Sequence, residues 1–239
     1  MRFHDRIDAG RQLAAKLAQY AGHSDVVVLG LPRGGIPVAH EVATRLGAPL
    51  DVFLVRTLAV PGHSELAMGT IAQGGIEVLS RVLIQDLRIP PALVQQVAVR
   101  ERLELERHDA LYRGGRRPAV VRDRTVILVD DGLAADATME AAILSLRQHA
   151  PARIVVAVPV GARQACERLR RLADEVVCVD MPEPFNSVAL WYEEFSQTSD
   201  DEVKQLLGST SGSTIGDPSA APALNPNEVR FWRQNNPFK

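Results

Sequence analysis

The most constraining feature of the sequence is a short apolar run that ends in two adjacent acids and leads into a helix. Residues 126–129 read Val-Ile-Leu-Val, and Asp130 and Asp131 follow them directly. Such a run is typical of a buried parallel strand that reaches the surface at its carboxyl end. Small residues and Thr138 then lead into an apolar periodicity that predicts a helix over residues 138–149. The string therefore predicts one strand–turn–helix unit of an open α/β sheet, whose ligands bind at this edge.

The same alternation of apolar runs and helical patterns recurs along most of the chain. Apolar runs of strand length lie near residues 25–31, 51–56, 125–130, 153–160 and 175–180. Helical periodicity is found near residues 5–21, 35–46, 91–109, 137–149 and 162–172. This alternation predicts an α/β fold with a five-stranded, mainly parallel sheet and helices on both of its faces. The long insert over residues 57–124 is expected to carry a flap or a binding loop.

A change of composition near residue 208 divides the chain into two parts. The segment after it is rich in glycine and serine and then in alanine and proline, which is typical of linkers. We therefore predict a folded domain over residues 1–207 and a flexible tail or linker over residues 208–239. Apolar residues return at positions 229–232 and could dock on the domain or begin a further part of a longer chain, but the composition favours a disordered tail.

Charge and composition exclude several classes of partner and chemistry. The formal net charge is -2 and the pI is about 6.3, so we expect neither nucleic acid nor a membrane as a partner. The polar start and the lack of a long apolar run predict a soluble protein. Cys166 and Cys178 lack the spacing of a metal site and indicate a reduced, cytoplasmic protein. Hydrolase and ATPase functions have no support, because the sequence contains neither a GxSxG elbow nor a Walker loop.

Several strings together resemble the type I phosphoribosyltransferases, in particular a bacterial subgroup of them. The signature of that family is two hydrophobic residues, Asp-Asp, three residues and then Thr-Gly-Gly/Ala-Thr, and residues 128–138 follow its order. Further matching strings are Gly30-Leu31-Pro32-Arg33-Gly34-Gly35, Val55-Arg56, Pro61-Gly62, Glu65-Leu66-Ala67-Met68-Gly69, Tyr112-Arg113-Gly114-Gly115, Ala157-Val158-Pro159-Val160, and Trp191-Tyr192 with Phe195. The resemblance covers residues 1–207 and implies that fold, with a small hood formed by both ends of the folded region.

The resemblance implies transfer of ribose 5-phosphate from phosphoribosyl pyrophosphate (PRPP) to a nitrogenous acceptor, with release of pyrophosphate. It assigns Asp130 and Asp131 to the ribose hydroxyls, where two carboxylates favour an oxocarbenium-like transition state. It also implies that Asp130 and Asp131 help to hold Mg²⁺, directly or through water and the ribose hydroxyls. The alternative is that the two acids are solvated or cap the turn before the helix. The acceptor is left open.

Pyrophosphate is assigned by the resemblance to the turn Arg33-Gly34-Gly35 and to Arg56. Glycines let backbone amides approach an anion, and Arg33 adds a fork of donors. Family members often carry a non-proline cis peptide in this loop. The alternative is an ordinary turn that needs glycine for its conformation only. Arg56 ends the second predicted strand, where the subgroup usually has Arg-Lys and this chain has Arg56-Thr57; contact with a ligand and a structural pair with a carboxylate such as Glu65 both stay open.

The predicted cradle for the 5′-phosphate departs from the family pattern. It comprises Ala134, Ala135, Asp136, Ala137 and Thr138, with alanine in place of the first threonine and aspartate in place of a glycine. Two unit charges ~4 Å apart cost about 4 kcal/mol at an effective dielectric of 20, so Asp136 should oppose a phosphate. Asp136 could instead cap the helix. Thr138 is the matched hydroxyl that remains.

Two other functions therefore stand beside the enzyme hypothesis. The substituted cradle favours a non-catalytic regulatory module that keeps the fold and binds a nucleotide or a partner protein. A third hypothesis is a domain separated from a larger enzyme. Either way the ligand is a small molecule or a partner, and assembly into a homo-oligomer is left open.

Two further groups of residues, the arginines of the insert and the aromatic string, have alternative interpretations. Arg107 and Arg113 could close over pyrophosphate, in cis or from a neighbouring subunit, although alternating Arg and Glu over residues 100–107 favours a solvated helical face for Arg107. The aromatic string near residue 191 could stack on a base. We interpret it instead as a hydrophobic seam that holds the C-terminal segment.

Overall fold

Five parallel strands form the central sheet of this computed structural model, which describes residues 2–134 and 137–209 apart from the side chains of Ser64 and Glu65. These strands are β1 (Val26–Gly30), β2 (Leu50–Val52), β6 (Thr125–Val129), β7 (Arg153–Val160) and β8 (Glu175–Asp180). Their order is β2-β1-β6-β7-β8, and every neighbouring pair is parallel. The carboxyl ends of β1 and β6 therefore lie side by side in the middle of the sheet.

Seven α-helices lie in the described part of the chain. They are α1 (Arg6–Lys16), α2 (Gly35–Leu46), α3 (Arg81–Asp86), α4 (Pro91–Arg113), α5 (Ala137–Gln148), α6 (Arg163–Leu169) and α7 (Asp200–Ser209). One face of the central sheet packs in a core with α1, α2, α4 and α7, and the other face packs with α5 and α6. The apolar runs of β1 and β6 are buried at every position, as strands covered on both faces require. The predicted α/β fold is confirmed.

The region after β2 differs from the prediction. The apolar run over residues 51–56 was expected to be one strand, but β2 ends at Val52 and a new strand, β3 (Val55–Val60), begins a second sheet. That sheet is antiparallel and adds β4 (His63–Ala72) and β5 (Ile76–Leu79). The single-strand prediction was wrong because an unbroken apolar run does not show where the chain leaves one sheet for another. The insert is thus a small sheet with α3 and α4.

The two ends of the folded region meet, as the predicted hood requires. Phe3 donates its backbone N–H to the carbonyl of Trp191 at 2.9 Å and forms an isolated parallel bridge with Tyr192. Phe3 and Tyr192 are buried, and Phe195 packs against them. The interpretation of the aromatic string as a hydrophobic seam is therefore confirmed for Tyr192.

The predicted tail can be compared with the structure only at its start. Helix α7 continues to Ser209, two residues beyond the predicted boundary at residue 207. The rest of the tail prediction, from residue 210 onward, lies outside the described residues. Within the described ranges, none of the helices combines the length and the apolar character that crossing a membrane requires.

Candidate active site

Two turns at the carboxyl ends of neighbouring strands build the candidate site. Asp130 and Asp131 follow β6, and the Arg33-Gly34-Gly35 turn follows β1 after Leu31. Leu31 donates its backbone N–H to the carbonyl of Val129 at 2.9 Å, which continues the β1–β6 ladder into the turns. The structure thus brings Asp130 and Asp131 together with the Arg33-Gly34-Gly35 turn.

The two glycines of the first turn are needed for space. A Cβ on Gly34 would overlap Oδ2 of Asp131, and a Cβ on Gly35 would lie 2.9 Å from the Cα of Asp130. Neither glycine has a positive φ; for Gly34 the angle is -62°. The alternative that these glycines serve conformation only is therefore wrong. Their lack of a side chain lets the turn pack directly on the acidic pair.

Arg33 presents its side chain at the rim of this turn. The Pro32–Arg33 peptide bond is cis, as the family resemblance implies for this loop. The side chain is 40% exposed, and its Nη1 lies 3.7 Å from Oδ1 of Asp200, at the start of α7. Tyr112 also donates its hydroxyl to this Asp200 oxygen, at 2.6 Å. Arg33 is therefore positioned loosely and has donors available for a ligand.

Arg6 contacts the acidic pair and was missed by the sequence analysis. Its Nε donates to Oδ2 of Asp131 at 2.8 Å, and its Nη1 donates to the carbonyl of Ser196 at 2.6 Å. The guanidinium lies 3.9 Å from the ring centroid of Phe195. One side chain from α1 thus joins the acidic turn to the C-terminal hood. No local signal could reveal this pair, because the two residues are 125 positions apart.

Burial controls the charge of the acidic pair. It raises the pKa of Asp130 well above the ordinary value, and the nearby charge of Asp131 raises it further. Burial also raises the pKa of Asp131, while the charge and the hydrogen bond of Arg6 act in the opposite direction. Within the turn, Oδ1 of Asp130 accepts the backbone N–H of Asp131 at 2.8 Å. The pair therefore holds a proton more readily than two solvated carboxyls would.

Arg56 does not lie where the sequence analysis expected it. It was expected to end a strand of the central sheet, but it belongs to β3 of the second sheet, because β2 has already ended. Its Nη2 donates to Oε2 of Glu101 at 2.8 Å, and its Nε donates to the same atom at 3.1 Å. The structure thus shows a structural pair, with Glu101 on α4 as the carboxylate.

The other two arginines of the insert are also engaged in ion pairs. Arg107 pairs with Glu104 on the exposed face of α4, as the alternating charges indicated. Arg113 is buried, with 3% of its surface exposed, and pairs with Asp51 of β2. It also donates to the carbonyl of Val52 and to Gln73. Arg113 anchors α4 to the sheet, so the hypothesis that it closes over pyrophosphate is wrong for this conformation.

The cradle is described only at its two ends. Ala134 is exposed after the acidic turn, and Ala137 and Thr138 are exposed in the first turn of α5. Ala135 and Asp136 lie outside the described residues. Helix α5 therefore begins at the same sheet edge as the acidic pair, which suits a phosphate at its amino end. The expected conflict between Asp136 and a phosphate stays a prediction.

The donor set bears on how magnesium could be held. Among the described residues, no group of three or more His, Cys, Asp or Glu side chains is arranged to hold a metal ion. Oδ2 of Asp131 already accepts the hydrogen bond of Arg6. Mg²⁺ usually keeps several waters and is bound by one or two carboxylates together with substrate phosphates. The residues present fit Mg²⁺ that shares its ligands with a bound substrate.

Comparison with known proteins identifies the family of this chain. A family model described as a phosphoribosyl transferase domain matches residues 2–194. The chain belongs to this family. The match includes Arg6 and both turns of the candidate site, and it ends one residue before Phe195 of the hood.

Individual members of the family give the same assignment. Two Mycobacterium tuberculosis proteins, from strains H37Rv and CDC 1551, carry the name "Putative phosphoribosyl transferase" and are 46% identical to this chain over 205 residues. The match covers 86% of this chain and 46% of each relative, so the chain spans about half the length of the curated relatives it matches. The crystal structure of TT1426 from Thermus thermophilus is 44% identical, with a TM-score of 0.75, and the match covers 87% of this chain and 98% of TT1426.

These matches confirm the predicted family and the predicted fold of this phosphoribosyl transferase domain. The donor, the acceptor and the metal stay predictions. The hypothesis that the chain is one domain of a larger enzyme also stays a prediction.

Proposed function

We propose that this phosphoribosyl transferase domain transfers ribose 5-phosphate from PRPP to a nitrogenous acceptor, with release of pyrophosphate and with Mg²⁺. One observation carries the proposal: the Arg33-Gly34-Gly35 turn packs directly on Asp130 and Asp131. In PRPP the ribose lies between the 5′-phosphate and the pyrophosphate. Its binding site therefore has to place hydrogen-bond acceptors for the ribose hydroxyls close to hydrogen-bond donors for the pyrophosphate. The acceptor is a small nitrogenous molecule of a class that remains to be identified.

Each part of the site has a role in this reaction. Asp130 and Asp131 accept hydrogen bonds from the ribose hydroxyls and favour the positive charge that develops on the ribose. Arg33 and the backbone amides of Gly34 and Gly35 bind the pyrophosphate as negative charge develops on it. The cradle from Ala134 to Thr138, at the amino end of α5, receives the 5′-phosphate.

Magnesium would neutralise the leaving pyrophosphate when it is bound. Asp130 and Asp131 would hold it through water and the ribose hydroxyls, because Arg6 already donates a hydrogen bond to Oδ2 of Asp131. Arg6 in turn keeps the Asp131 carboxylate fixed toward the turn. Tyr192 supports this arrangement by donating its hydroxyl to the carbonyl of Asp131 at 2.6 Å.

A calorimetric titration with PRPP, with and without Mg²⁺, tests the proposal. We expect the wild type to bind PRPP, and to bind it more tightly with Mg²⁺. Asp130→Asn and Asp131→Asn should each weaken binding, with the larger loss in the presence of Mg²⁺. Glu104→Gln, on the exposed face of α4, is the matched control and should leave the affinity unchanged. Unaltered affinity in both aspartate variants would remove the acidic pair from the ligand site.

A second candidate function is favoured by two residues. Asp136 replaces a glycine of the family pattern, and Arg6 already satisfies part of the acidic pair. Both features suit a regulatory module that binds a nucleotide or a partner protein without turnover. Pyrophosphate release measured with PRPP and a panel of purine, pyrimidine and pyridine bases separates the two functions. Tight binding of a nucleotide without release of pyrophosphate with any base would favour the module.

The proposal also covers the compartment and the partners of the protein. We infer a cytoplasmic protein with small-molecule ligands and without nucleic acid as a partner, in keeping with a net charge of -2. Two cysteines without a disulfide suit a reducing compartment. Assembly into a homo-oligomer is left to measurement of the mass in solution.

A further inference from the structure

The sulfur atoms of the two cysteines of the chain converge on the space beside one glycine, Gly161. Cys166 lies in α6 and is completely buried, and Cys178 lies in β8 and is partly buried. A Cβ on Gly161 would lie 2.9 Å from Sγ of Cys166 and 3.5 Å from Sγ of Cys178. The chain contains no other cysteine. The absence of a side chain at Gly161 thus leaves the two sulfur atoms close to each other.

The two thiols are chemically unequal. A hydrogen bond from Cys178 lowers the pKa of the Cys166 thiol, and the charge of Arg170 acts in the same direction against the effect of burial. The same hydrogen bond and burial raise the pKa of the Cys178 thiol. Sγ of Cys178 also lies 3.1 Å from the carbonyl oxygen of Asp180. Because the thiolate is the reactive form, Cys166 is the better nucleophile and Cys178 is the second thiol within reach.

We propose that Cys166 and Cys178 are a reversible modification site, at which a hydroperoxide oxidises the two thiols to an intrachain disulfide. The Cys166 thiolate attacks the terminal oxygen of the peroxide, the O–O bond breaks, and the alcohol or water leaves after taking up a proton. The Cys178 sulfur then attacks the resulting sulfenic acid, forms the S–S bond and releases water. The two sulfurs lose two electrons in total, and the peroxide gains them.

The site is linked to the acidic turn through the backbone. Leu133 donates its N–H to the carbonyl of Val160 at 2.9 Å, and Ala162 donates its N–H to the carbonyl of Leu133 at 2.8 Å. Leu133 is two residues from Asp131 and forms an isolated bridge with Gly161. A disulfide around Gly161 would therefore join α6 to β8 beside the turn that carries the acids. This inference does not depend on the proposed transferase activity.

Mass spectrometry of the intact wild-type chain after treatment with hydrogen peroxide tests the proposal. We expect a monomer that has lost two hydrogens, that has no thiol reactive in denaturant, and that dithiothreitol returns to the starting mass. Two free thiols after treatment, oxygen adducts alone, or only disulfide-linked dimers would overturn the proposal. The wild-type measurement decides by itself, so it does not depend on the folding of any variant.

Two single variants test the assigned order of attack. Cys178→Ser should accumulate a sulfenic acid on Cys166, detected with a dimedone-type reagent, because no second thiol is present to displace it. Cys166→Ser should react with peroxide at least tenfold more slowly than Cys178→Ser. The same rate in both variants, or a faster reaction in Cys166→Ser, would overturn the assignment of Cys166 as the attacking thiol.

Hydrogen exchange tests the link to the acidic turn. The amides of Leu133 and Ala162 should exchange more slowly in the oxidised wild type than in the reduced form, and the melting temperature should rise by roughly 5–10 °C. The Cys166→Ser, Cys178→Ser double variant treated with peroxide is the control and should show neither change. Unchanged exchange at both amides in protein that carries the disulfide would overturn the link.

Discussion

Two arginine–aspartate pairs of this domain have similar contacts but different surroundings. Arg113 pairs with Asp51 beneath α4, and both residues are buried. Asp51 also accepts the backbone N–H groups of Val52 and Ala119, each at 2.8 Å. Arg113 donates further to Asp109, a backbone carbonyl and Gln73. The donors and acceptors of this pair are thus widely satisfied within the protein.

The pair of Arg6 and Asp131 is less complete. Arg6 balances one carboxylate, but Asp130 lies beside it, and burial and the mutual repulsion keep the pKa of Asp130 raised. The described protein groups therefore balance only part of the negative charge of the acidic pair, and a ligand can balance the rest. The difference teaches that a complete network stabilises the fold, while an incomplete one is available for binding.

The largest expected effect comes from breaking the complete pair. Arg113→Ala leaves the carboxylate of Asp51 buried without its guanidinium, which should lower the free energy of unfolding by about 3–5 kcal/mol. Urea denaturation measures this loss. Arg107→Ala breaks an exposed pair on the same helix and should cost less than about 1 kcal/mol. Similar losses in the two variants would show that the buried network of Arg113 contributes no more to stability than the exposed pair of Arg107.

The packing of the first turn on the acids should be the next most sensitive feature. Gly34→Ala forces a methyl group into the space of Asp131, and we expect a loss of about 1–3 kcal/mol in the free energy of unfolding. Gly208→Ala is the matched control, because open space surrounds Gly208 within α7, and it should gain up to about 1 kcal/mol. A neutral Gly34→Ala variant that keeps its ligand affinity would contradict the close packing.

The next prediction concerns the negative charge that Asp136 adds to the predicted phosphate cradle. Asp136→Gly removes the carboxylate from the cradle and should raise the affinity for a 5′-phosphate ligand at least tenfold, or about 1.4 kcal/mol. Ala135→Thr should add less, because a hydroxyl contributes less than a charge. Titrations of the wild type, both single variants and the double variant measure this. If Asp136→Gly leaves the affinity unchanged, its carboxylate points away from the phosphate.

The smallest expected effect concerns pH. Because the pKa of Asp130 is raised in the folded protein, the folded state binds more protons than the unfolded chain, and stability is lost as the pH rises through that pKa. Asp130→Asn should therefore be more stable than the wild type at neutral pH, with a difference that shrinks toward about pH 4. Melting temperatures across this range give the measurement. A wild type that is more stable than Asp130→Asn at neutral pH would contradict the expectation that the ionised Asp130 destabilises the fold.

Much of the fold could be predicted because local chemistry determines it. Helix α2 has the predicted bounds, since a regular apolar stripe runs up to Gly47, which ends the helix with a φ of 66°. The division of the apolar run after residue 51 into β2 and β3 could not be predicted, because both strands need the same residue types. Which sheet a strand joins depends on contacts that are distant in sequence.

The site was predictable to the extent that it is local. Asp130, Asp131 and the glycine turn each lie at the end of an apolar run, and parallel strands bring such ends together. Arg113 resembles a ligand-binding arginine in sequence, and only its burial against Asp51 shows that it is structural. Arg6 stands at the start of an ordinary amphipathic helix, so its contact with Asp131 is visible only in three dimensions.

The position of Arg6 has a consequence for protein synthesis. Its partners are an aspartate 125 residues later and a carbonyl 190 residues later, so Arg6 is made well before either of its contacts. Chains grow at about 5–20 residues per second, which leaves α1 waiting for roughly ten seconds or more before residue 196 emerges. On the ribosome, the cation is therefore made before the acids that it holds, and its contact with the hood can form only after Ser196 has been added.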